Sequence, residues 1–223
     1  MENERRIDRT TSMGMDEHRL SDILHASQIK ATDIYETPPQ IIWIDNSTIA
    51  TLGNFSASTG KAKSKKTFNV SALVAASLAG KQVLNYRAHL PEGKQRILYV
   101  DTEQSRFHCR SVLERILRLA GLPTTTDPEN LDFFCLREYS PSVRIEVIDY
   151  ALRQQKGYGL VIIDGIRDLM LDINNAGESV EVINRMMEWS SRYDLHIHCV
   201  LHLNKGDNNA VSYTHLTLPT TSR

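Results

Sequence analysis

The octet Gly60–Thr67, with the sequence GKAKSKKT, has the residue types and spacing of a loop that binds phosphate. It follows the pattern G-x-x-x-x-G-K-[ST], with Lys65 at the place of the second glycine. In such a loop, successive backbone N–H groups and the positive end of the next helix face a phosphate chain. We expect Lys66 to reach the β- and γ-phosphates and the Thr67 hydroxyl to bind Mg²⁺. The predicted nucleotide-binding residues are Gly60, Lys61, Ala62, Lys63, Ser64, Lys65, Lys66 and Thr67.

The lysines of this octet permit other interpretations. Four lysines within six positions could form a solvated charge run or contact nucleic acid. A second frame, from Gly53 to Gly60 and Lys61, has two extra residues between the glycines and no hydroxyl after the lysine, so we reject it. The phosphate loop is favoured because a predicted strand precedes the octet and an apolar helix follows it. Lys65 is unusual, since a side chain at that place can crowd the approach of the backbone to phosphate.

Two apolar runs end in carboxylates, one at Asp164 and the other at Asp101 and Glu103. Open α/β sheets bind ligands at the carboxyl ends of their strands. We expect Asp164 to hold Mg²⁺ opposite Thr67. Glu103 is the predicted base that orients an attacking water, because phosphoryl transfer depends on positioning and charge neutralisation. Asp101 is interpreted as a possible cap of the following turn, and both carboxylates of that turn could instead be solvated strand ends.

The last apolar run carries polar groups that could contact a terminal phosphate or the attacking water. Asn204 is the main candidate and His202 the second. His196 and His198 share a strand face, which raises the possibility of a metal pair. No carboxylate or cysteine on a second element accompanies them, so packing or hydrogen bonding is the favoured interpretation.

Around these residues, apolar runs typical of buried strands alternate with helical patterns. This alternation predicts an α/β fold with a mainly parallel sheet flanked by helices. Gly80 and Gly121 mark helix ends, and Ser140-Pro141 marks a helix start. The predicted strands are 41–44, 54–58, 97–100, 131–136, 160–163 and 195–203, and the predicted helices are 67–78, 112–120, 141–152 and 179–192. A short amphipathic helix around Leu20, Ile23 and Leu24 is the most we expect before residue 40.

Composition restricts the class of protein. The 223 residues carry 26 Lys+Arg and 27 Asp+Glu, a net charge of −1, which excludes a globally basic protein that coats nucleic acid. No apolar run approaches the ~18 residues of a membrane span, and the charged start MENERRIDRT lacks the apolar core of a secretory signal. We expect a cytoplasmic protein with no membrane partner. The cysteines form no C-x-x-C pair, so buried free thiols are predicted at Cys109, Cys135 and Cys199.

The set SKKTF, ILYVDTEQS, LVIIDG and VLHLNKG, in this order, resembles the RecA-like P-loop ATPases. Within them it is similar to the AAA-type, RepA-helicase-like proteins of plasmids and mobile elements. The resemblance covers residues 41–209 and implies a RecA-like core that binds and hydrolyses ATP. It makes Lys66 and Thr67 the Walker A pair, Asp164 the Walker B aspartate, and Glu103 the catalytic glutamate. His202 and Asn204 become a sensor-like strand tip.

The resemblance also implies Mg²⁺ as cofactor, DNA as a partner, and a homo-oligomer, such as a ring, that couples hydrolysis to replication or mobilisation. The alternative is a non-catalytic regulator whose variant loop binds nucleotide or DNA. We expect a charged arm over 1–40, an incomplete core over 41–210 and a non-native tail over 211–223. That tail, VSYTHLTLPTTSR, resembles adapter-derived ends of truncated metagenomic reading frames, and a native flexible end is the alternative.

Overall fold

The computed structural model describes residues 17–61, 65–154, 156–172 and 175–203, with only the backbone of Lys61, His202 and Leu203. The chain divides into two compact units, Met1–Thr37 and Pro38–Arg223. In the first unit, helix α1 (Glu17–Ser27) has no buried residue. Among the described residues, no helix is long and apolar enough to cross a membrane.

The second unit contains eight strands and four α-helices within the described ranges. In chain order they are β1 (Gln40–Ile44), β2 (Ser47–Thr51), β3 (Phe55–Lys61), α2 (Lys66–Ala79), β4 (Tyr86–Ala88), β5 (Arg96–Asp101), α3 (Arg106–Ala120), β6 (Leu131–Cys135), α4 (Pro141–Gln154), β7 (Tyr158–Asp164), α5 (Ala176–Arg192) and β8 (His196–Leu203). A 3₁₀ helix, Ile166–Leu169, follows β7.

The main sheet has five parallel strands in the order β3-β8-β7-β5-β6. All seven residues of β7 are buried, because helices cover both faces of the sheet and each face needs apolar side chains. Alternate residues pack toward α2 and α3 on one face and toward α4 and α5 on the other. The predicted α/β fold with a parallel sheet, that of a RecA-like P-loop core, is confirmed.

A second sheet, antiparallel and in the order β2-β1-β4, was not predicted. The run Ile41–Ile44 does form a strand, but it belongs to this small sheet. Ile41 and Ile42 are fully buried, and the Arg87 guanidinium lies 4.7 Å from the centre of the Trp43 ring. The partner strands escaped prediction because they are short, and because STIAT and YRA carry polar residues.

The ends of the elements follow their sequence signals. Helices α2 and α3 end at Gly80 and Gly121, whose φ angles of 60° and 78° are left-handed and suit glycine. Helix α5 begins three residues before the predicted start, because the Asn175 side chain caps it by accepting from the Gly177 N–H at 2.9 Å. Strand β3 runs to Lys61, beyond the predicted end, because it pairs with β8 along its whole length.

Candidate functional site

The strand order brings the predicted site residues to one edge of the sheet. Asp101 and Asp164 are direct partners at the tips of β5 and β7. Gly60, at the end of β3, pairs with His202 of β8. Strand β8 therefore lies between the strand that enters the predicted phosphate loop and the strand that ends in Asp164.

The predicted phosphate loop connects β3 to the first residue of α2, as the spacing requires. Lys65 lies just before the helix with φ 60° and ψ 25° and is exposed. This left-handed conformation costs an L-residue about 1–2 kcal/mol, and glycine avoids that cost. The structure thus explains why glycine suits this place in the motif. Ala62, Lys63 and Ser64 lie outside the described residues, as does the side chain of Lys61.

Lys66 is the cation at the centre of the site. Its side chain is buried, and its ammonium donates to the Gly60 carbonyl at 2.6 Å. Its charge lowers the pKa of both Glu103 and Asp164, so the ammonium lies within electrostatic range of these two carboxylates. The structure therefore brings together three of the predicted site residues, from α2, β7 and the turn after β5.

Asp164 is held in one orientation at the tip of β7. It is buried, and its Oδ2 accepts a hydrogen bond of 2.9 Å from the Tyr99 hydroxyl. The Tyr99 ring is itself fully buried and stacks on Phe133, with ring centres 4.3 Å apart. Burial raises the pKa of Asp164 to about 6, while the Tyr99 bond and the Lys66 charge oppose that rise. Sequence patterns gave no sign of the Tyr99 contact.

Asp101 organises the turn that carries Glu103. Its Oδ1 accepts from the backbone N–H of Glu103 at 3.0 Å and of Gln104 at 2.8 Å. Its Oδ2 accepts from the Gln104 side-chain amide at 2.9 Å. Asp101 is fully buried, and burial raises its pKa against these hydrogen bonds. Asp101 therefore caps the turn, which is the role that the sequence suggested for it.

The surroundings of Glu103 raise the pKa of its carboxyl group. Glu103 is exposed, yet neighbouring protein atoms partly desolvate its carboxylate and raise its pKa to about 7. Repulsion from the carboxylates of Asp168, Asp164 and Asp101 raises the pKa further toward this value. A carboxylate with a pKa near neutrality can act as a base at cellular pH. Asp168 was missed because it lies on the 3₁₀ helix, which has no sequence pattern of its own.

Thr102 and Gly165 join the tips of β5 and β7. The Thr102 hydroxyl lies 3.0 Å from the Asp164 carbonyl, 2.9 Å from the Gly165 carbonyl and 3.0 Å from Asp168 Oδ2. Gly165 has φ 102°, and a Cβ there would lie 2.3 Å from Thr102 Oγ1 and 2.7 Å from Glu103 Cγ. Only glycine fits between the aspartate and the Glu103 turn. The Asp-Gly dipeptide was the sequence signal for this close approach.

His196 and His198 join a buried ladder of hydrogen bonds with β3. The His196 Nδ1 lies 2.9 Å from the Thr51 carbonyl, which can only accept, so this nitrogen donates. The Ser56 hydroxyl joins the two rings, since it lies 2.8 Å from His196 Nε2 and 2.8 Å from His198 Nδ1. The Ser58 hydroxyl lies 2.9 Å from His198 Nε2. Burial lowers the pKa of His196 to about 4 and of His198 to about 3, so both are neutral. The hydrogen-bonding interpretation of this pair is confirmed.

The donor chemistry of the site fits Mg²⁺ rather than a softer ion. Thr67 at the start of α2 offers a hydroxyl and Asp164 a carboxylate, both hard oxygen ligands. Within the described ranges, no group of three His, Cys, Asp or Glu residues is arranged to hold a metal. Protein sites commonly bind Mg²⁺ through one or two side chains together with substrate phosphates and water. Asn204 and the His202 side chain, predicted beside this site, lie outside the described residues.

The fold and the strand-tip residues define the class of α/β proteins with a RecA-like P-loop core. Comparison with protein families agrees, because the sequence model of the family described as AAA domain matches residues 20–208. The chain therefore belongs to the AAA domain family, which supports a nucleotide-binding ATPase in general. No curated protein matches the chain.

Proposed function

We propose that the chain binds Mg-ATP at the loop 60–67 and hydrolyses the γ-phosphate. The observation that carries this proposal is the position of Lys66, Asp164 and Glu103 at one sheet edge, where Lys66 binds the Gly60 carbonyl and Glu103 lies against Gly165, the residue after Asp164. In the bound complex, Lys66 neutralises phosphate charge, and Thr67 and Asp164 hold Mg²⁺. The ion supplies charge neutralisation at the phosphates.

Glu103 is the group that orients and deprotonates the attacking water. The Asp101 cap fixes the backbone of its turn, and Gly165 leaves room for its side chain. A pKa of about 7 lets the carboxylate accept a proton near neutral pH. The role we assign to His202, and to Asn204, which follows β8 in the sequence, is contact with the terminal phosphate.

The work coupled to hydrolysis is replication or mobilisation of a mobile genetic element, with DNA as partner and a homo-oligomer, such as a ring, as the active form in the cytoplasm. The resemblance of the four strand-tip motifs to RepA-like proteins supports this part of the proposal. A non-catalytic regulator is the second candidate. It is favoured by Lys65, whose left-handed backbone and side chain stand where glycine would let the loop approach phosphate.

Binding and hydrolysis are measured separately on the purified chain, by calorimetric titration with Mg-ATP and by phosphate release. Lys66→Ala should abolish binding, whereas Lys81→Ala, at an exposed lysine just beyond the other end of the same helix, should not. Glu103→Gln should keep binding and lower turnover by about 10²–10⁴-fold, the usual contribution of a general base. Glu92→Gln, an exposed carboxylate before β5, is its matched control.

Each outcome separates the candidates. Unchanged turnover in Glu103→Gln would show that this residue is not the base. Nucleotide binding without phosphate release by the parent chain would support the regulator. DNA binding that is steeply salt-dependent and unaffected by ATP would assign the lysines to contacts with the DNA backbone. Absence of any nucleotide binding by the parent chain would refute the proposal.

A further inference from the structure

Two cysteines that are 26 positions apart in the sequence meet beside the Glu103 turn. Cys109 lies in the first turns of α3, and Cys135 ends β6. The Cys135 thiol donates to the Gln104 carbonyl at 3.3 Å, and the Cys109 thiol lies 3.7 Å from the same oxygen. The neighbouring Cys135 thiol also contributes to the raised pKa of Cys109. Cys109 is buried and Cys135 is half-buried, so the pair has one member within reach of solvent.

The residue on which both thiols converge belongs to the predicted catalytic turn. Gln104 follows Glu103, and its backbone N–H and side-chain amide both bind the Asp101 carboxylate. The residue that follows β6 contacts the same turn, because the Leu136 N–H donates to the Asp101 carbonyl at 2.8 Å. A change in the bonding of the two sulfurs therefore acts directly on the backbone that positions Glu103.

We propose that Cys109 and Cys135 form a reversible modification site for small-molecule disulfides, which convert the two thiols to an intrachain disulfide that displaces the Glu103 turn. The modification site stands on the geometry of the two thiols. Its effect on turnover rests on the proposed ATPase function. Redox-sensing pairs of this kind are the usual form of a disulfide in a reducing compartment.

The chemistry is thiol–disulfide exchange in two steps. The half-buried Cys135 thiol releases its proton to solvent, and its sulfur attacks the small disulfide, forming a mixed disulfide and expelling one thiolate, which takes up a proton. The Cys109 thiol then gives up its proton and attacks the Cys135 sulfur, which expels the second small thiol. Two protein thiols are oxidised and one small disulfide is reduced to two thiols.

The two cysteines have distinct roles in this sequence. Burial raises the pKa of the Cys109 thiol, with further contributions from Asp101 and Cys135. A buried thiol of raised pKa is a poor first nucleophile. Cys109 is therefore the resolving thiol, which reacts once its neighbour carries a leaving group. In the disulfide neither sulfur keeps a hydrogen, so both hydrogen bonds to the Gln104 carbonyl are lost.

The test treats the whole chain with oxidised glutathione and maps its thiols by mass spectrometry. Trypsin separates the three cysteines into the peptides 107–110, 119–137 and 193–205. We expect peptides 107–110 and 119–137 to become linked, with loss of two hydrogens, while Cys199 stays free. Amide hydrogen exchange at Glu103 and Gln104 should rise in the linked form. Both readouts are independent of ATP turnover.

The matched variants are Cys135→Ser and Cys199→Ser. The first keeps a donor for the Gln104 carbonyl and should abolish the link, and the second should leave it unchanged. Phosphate release should fall at least about tenfold on linking, because displacement of a catalytic group by ~1 Å costs up to ~10²-fold, and dithiothreitol should restore it. A lasting mixed disulfide on Cys135, no link, or a linked chain of unchanged exchange and turnover would overturn the proposal. Linking in a chain that never hydrolyses ATP would instead refute the proposed function and leave the modification site intact.

Discussion

The buried histidine ladder predicts a contribution to folding stability that is lost in mild acid. The folded pKa values of His196 and His198, about 4 and about 3, lie below the ordinary 6.5. As the pH falls, the unfolded chain takes up these protons before the folded chain does. The stabilisation from this pair is therefore complete above about pH 6.5 and is lost as the pH falls toward the folded values.

The size of the loss follows from the shift of each pKa. One pKa unit corresponds to about 1.36 kcal/mol, so each histidine costs about 2 kcal/mol between about pH 6.5 and pH 5, and the pair about 4 kcal/mol. This is a large part of the ~5–15 kcal/mol that stabilises a typical domain. The raised pKa of Glu103 and of Asp164 offsets a large part of this loss in the parent, because the folded chain binds those protons first. The histidine contribution is therefore measured as the difference between a variant and the parent.

A single variant separates the histidines from the carboxylates. His198→Gln keeps a donor and an acceptor but does not titrate, so its unfolding free energy should fall by about 2 kcal/mol less than that of the parent between about pH 6.5 and pH 5. Urea unfolding followed by the fluorescence of buried Trp189 measures both curves. His108→Gln, at an exposed histidine, is the control and should track the parent. If the unfolding free energy of His198→Gln fell with pH as much as that of the parent, the histidine ladder would not be a source of the pH dependence.

Three further substitutions test the site. Tyr99→Phe removes the hydroxyl that orients the Asp164 carboxylate but keeps the stacked ring. It should raise the Mg²⁺ concentration for half-maximal turnover about tenfold, because a charge-assisted hydrogen bond of ~1.5 kcal/mol is lost. Lys65→Gly relieves the left-handed backbone and should raise the unfolding free energy by about 0.5–1 kcal/mol in urea titrations; a decrease would contradict the strain. Gly165→Ala should lower phosphate release by at least about tenfold, because the new methyl group displaces Glu103. Gly53→Ala is the control: Gly53 has φ 74° but open space around it, so the change should lower stability and leave phosphate release unchanged. Equal turnover in the two alanine variants would contradict the close contact.

The parallel sheet could be predicted because its central strands are apolar on both faces. The run Leu160–Ile163 has no polar position to expose, and Gly80 and Gly121 stop helices where a left-handed residue is required. The small sheet could not be predicted, since Tyr86–Ala88 is a strand only because β1 pairs with it. Strand order was also out of reach, because hydrophobic periodicity identifies strands and not their neighbours.

For the candidate site, the sequence identified residues at strand tips but not the contacts that hold them. Asp164 and Glu103 follow apolar runs, which is a local signal. The Tyr99 hydroxyl reaches Asp164 across 65 positions, and Asp168 reaches the Glu103 turn through a 3₁₀ helix. Such partners depend on which strands become neighbours. The meeting of Cys109 and Cys135 was hidden for the same reason, and the half-buried position of Cys135 differs from the predicted burial of all three thiols.

The position of β8 between β3 and β7 separates the strand that enters the phosphate loop from the strand that ends in Asp164. Neighbouring strands are about 4.8 Å apart, so the tips of β3 and β7 are roughly 10 Å apart. Each strand tip therefore supplies only part of the site, and the site exists only when β3, β8 and β7 have paired in this order. A ligand that contacts both tips binds the assembled sheet alone and stabilises it against unfolding.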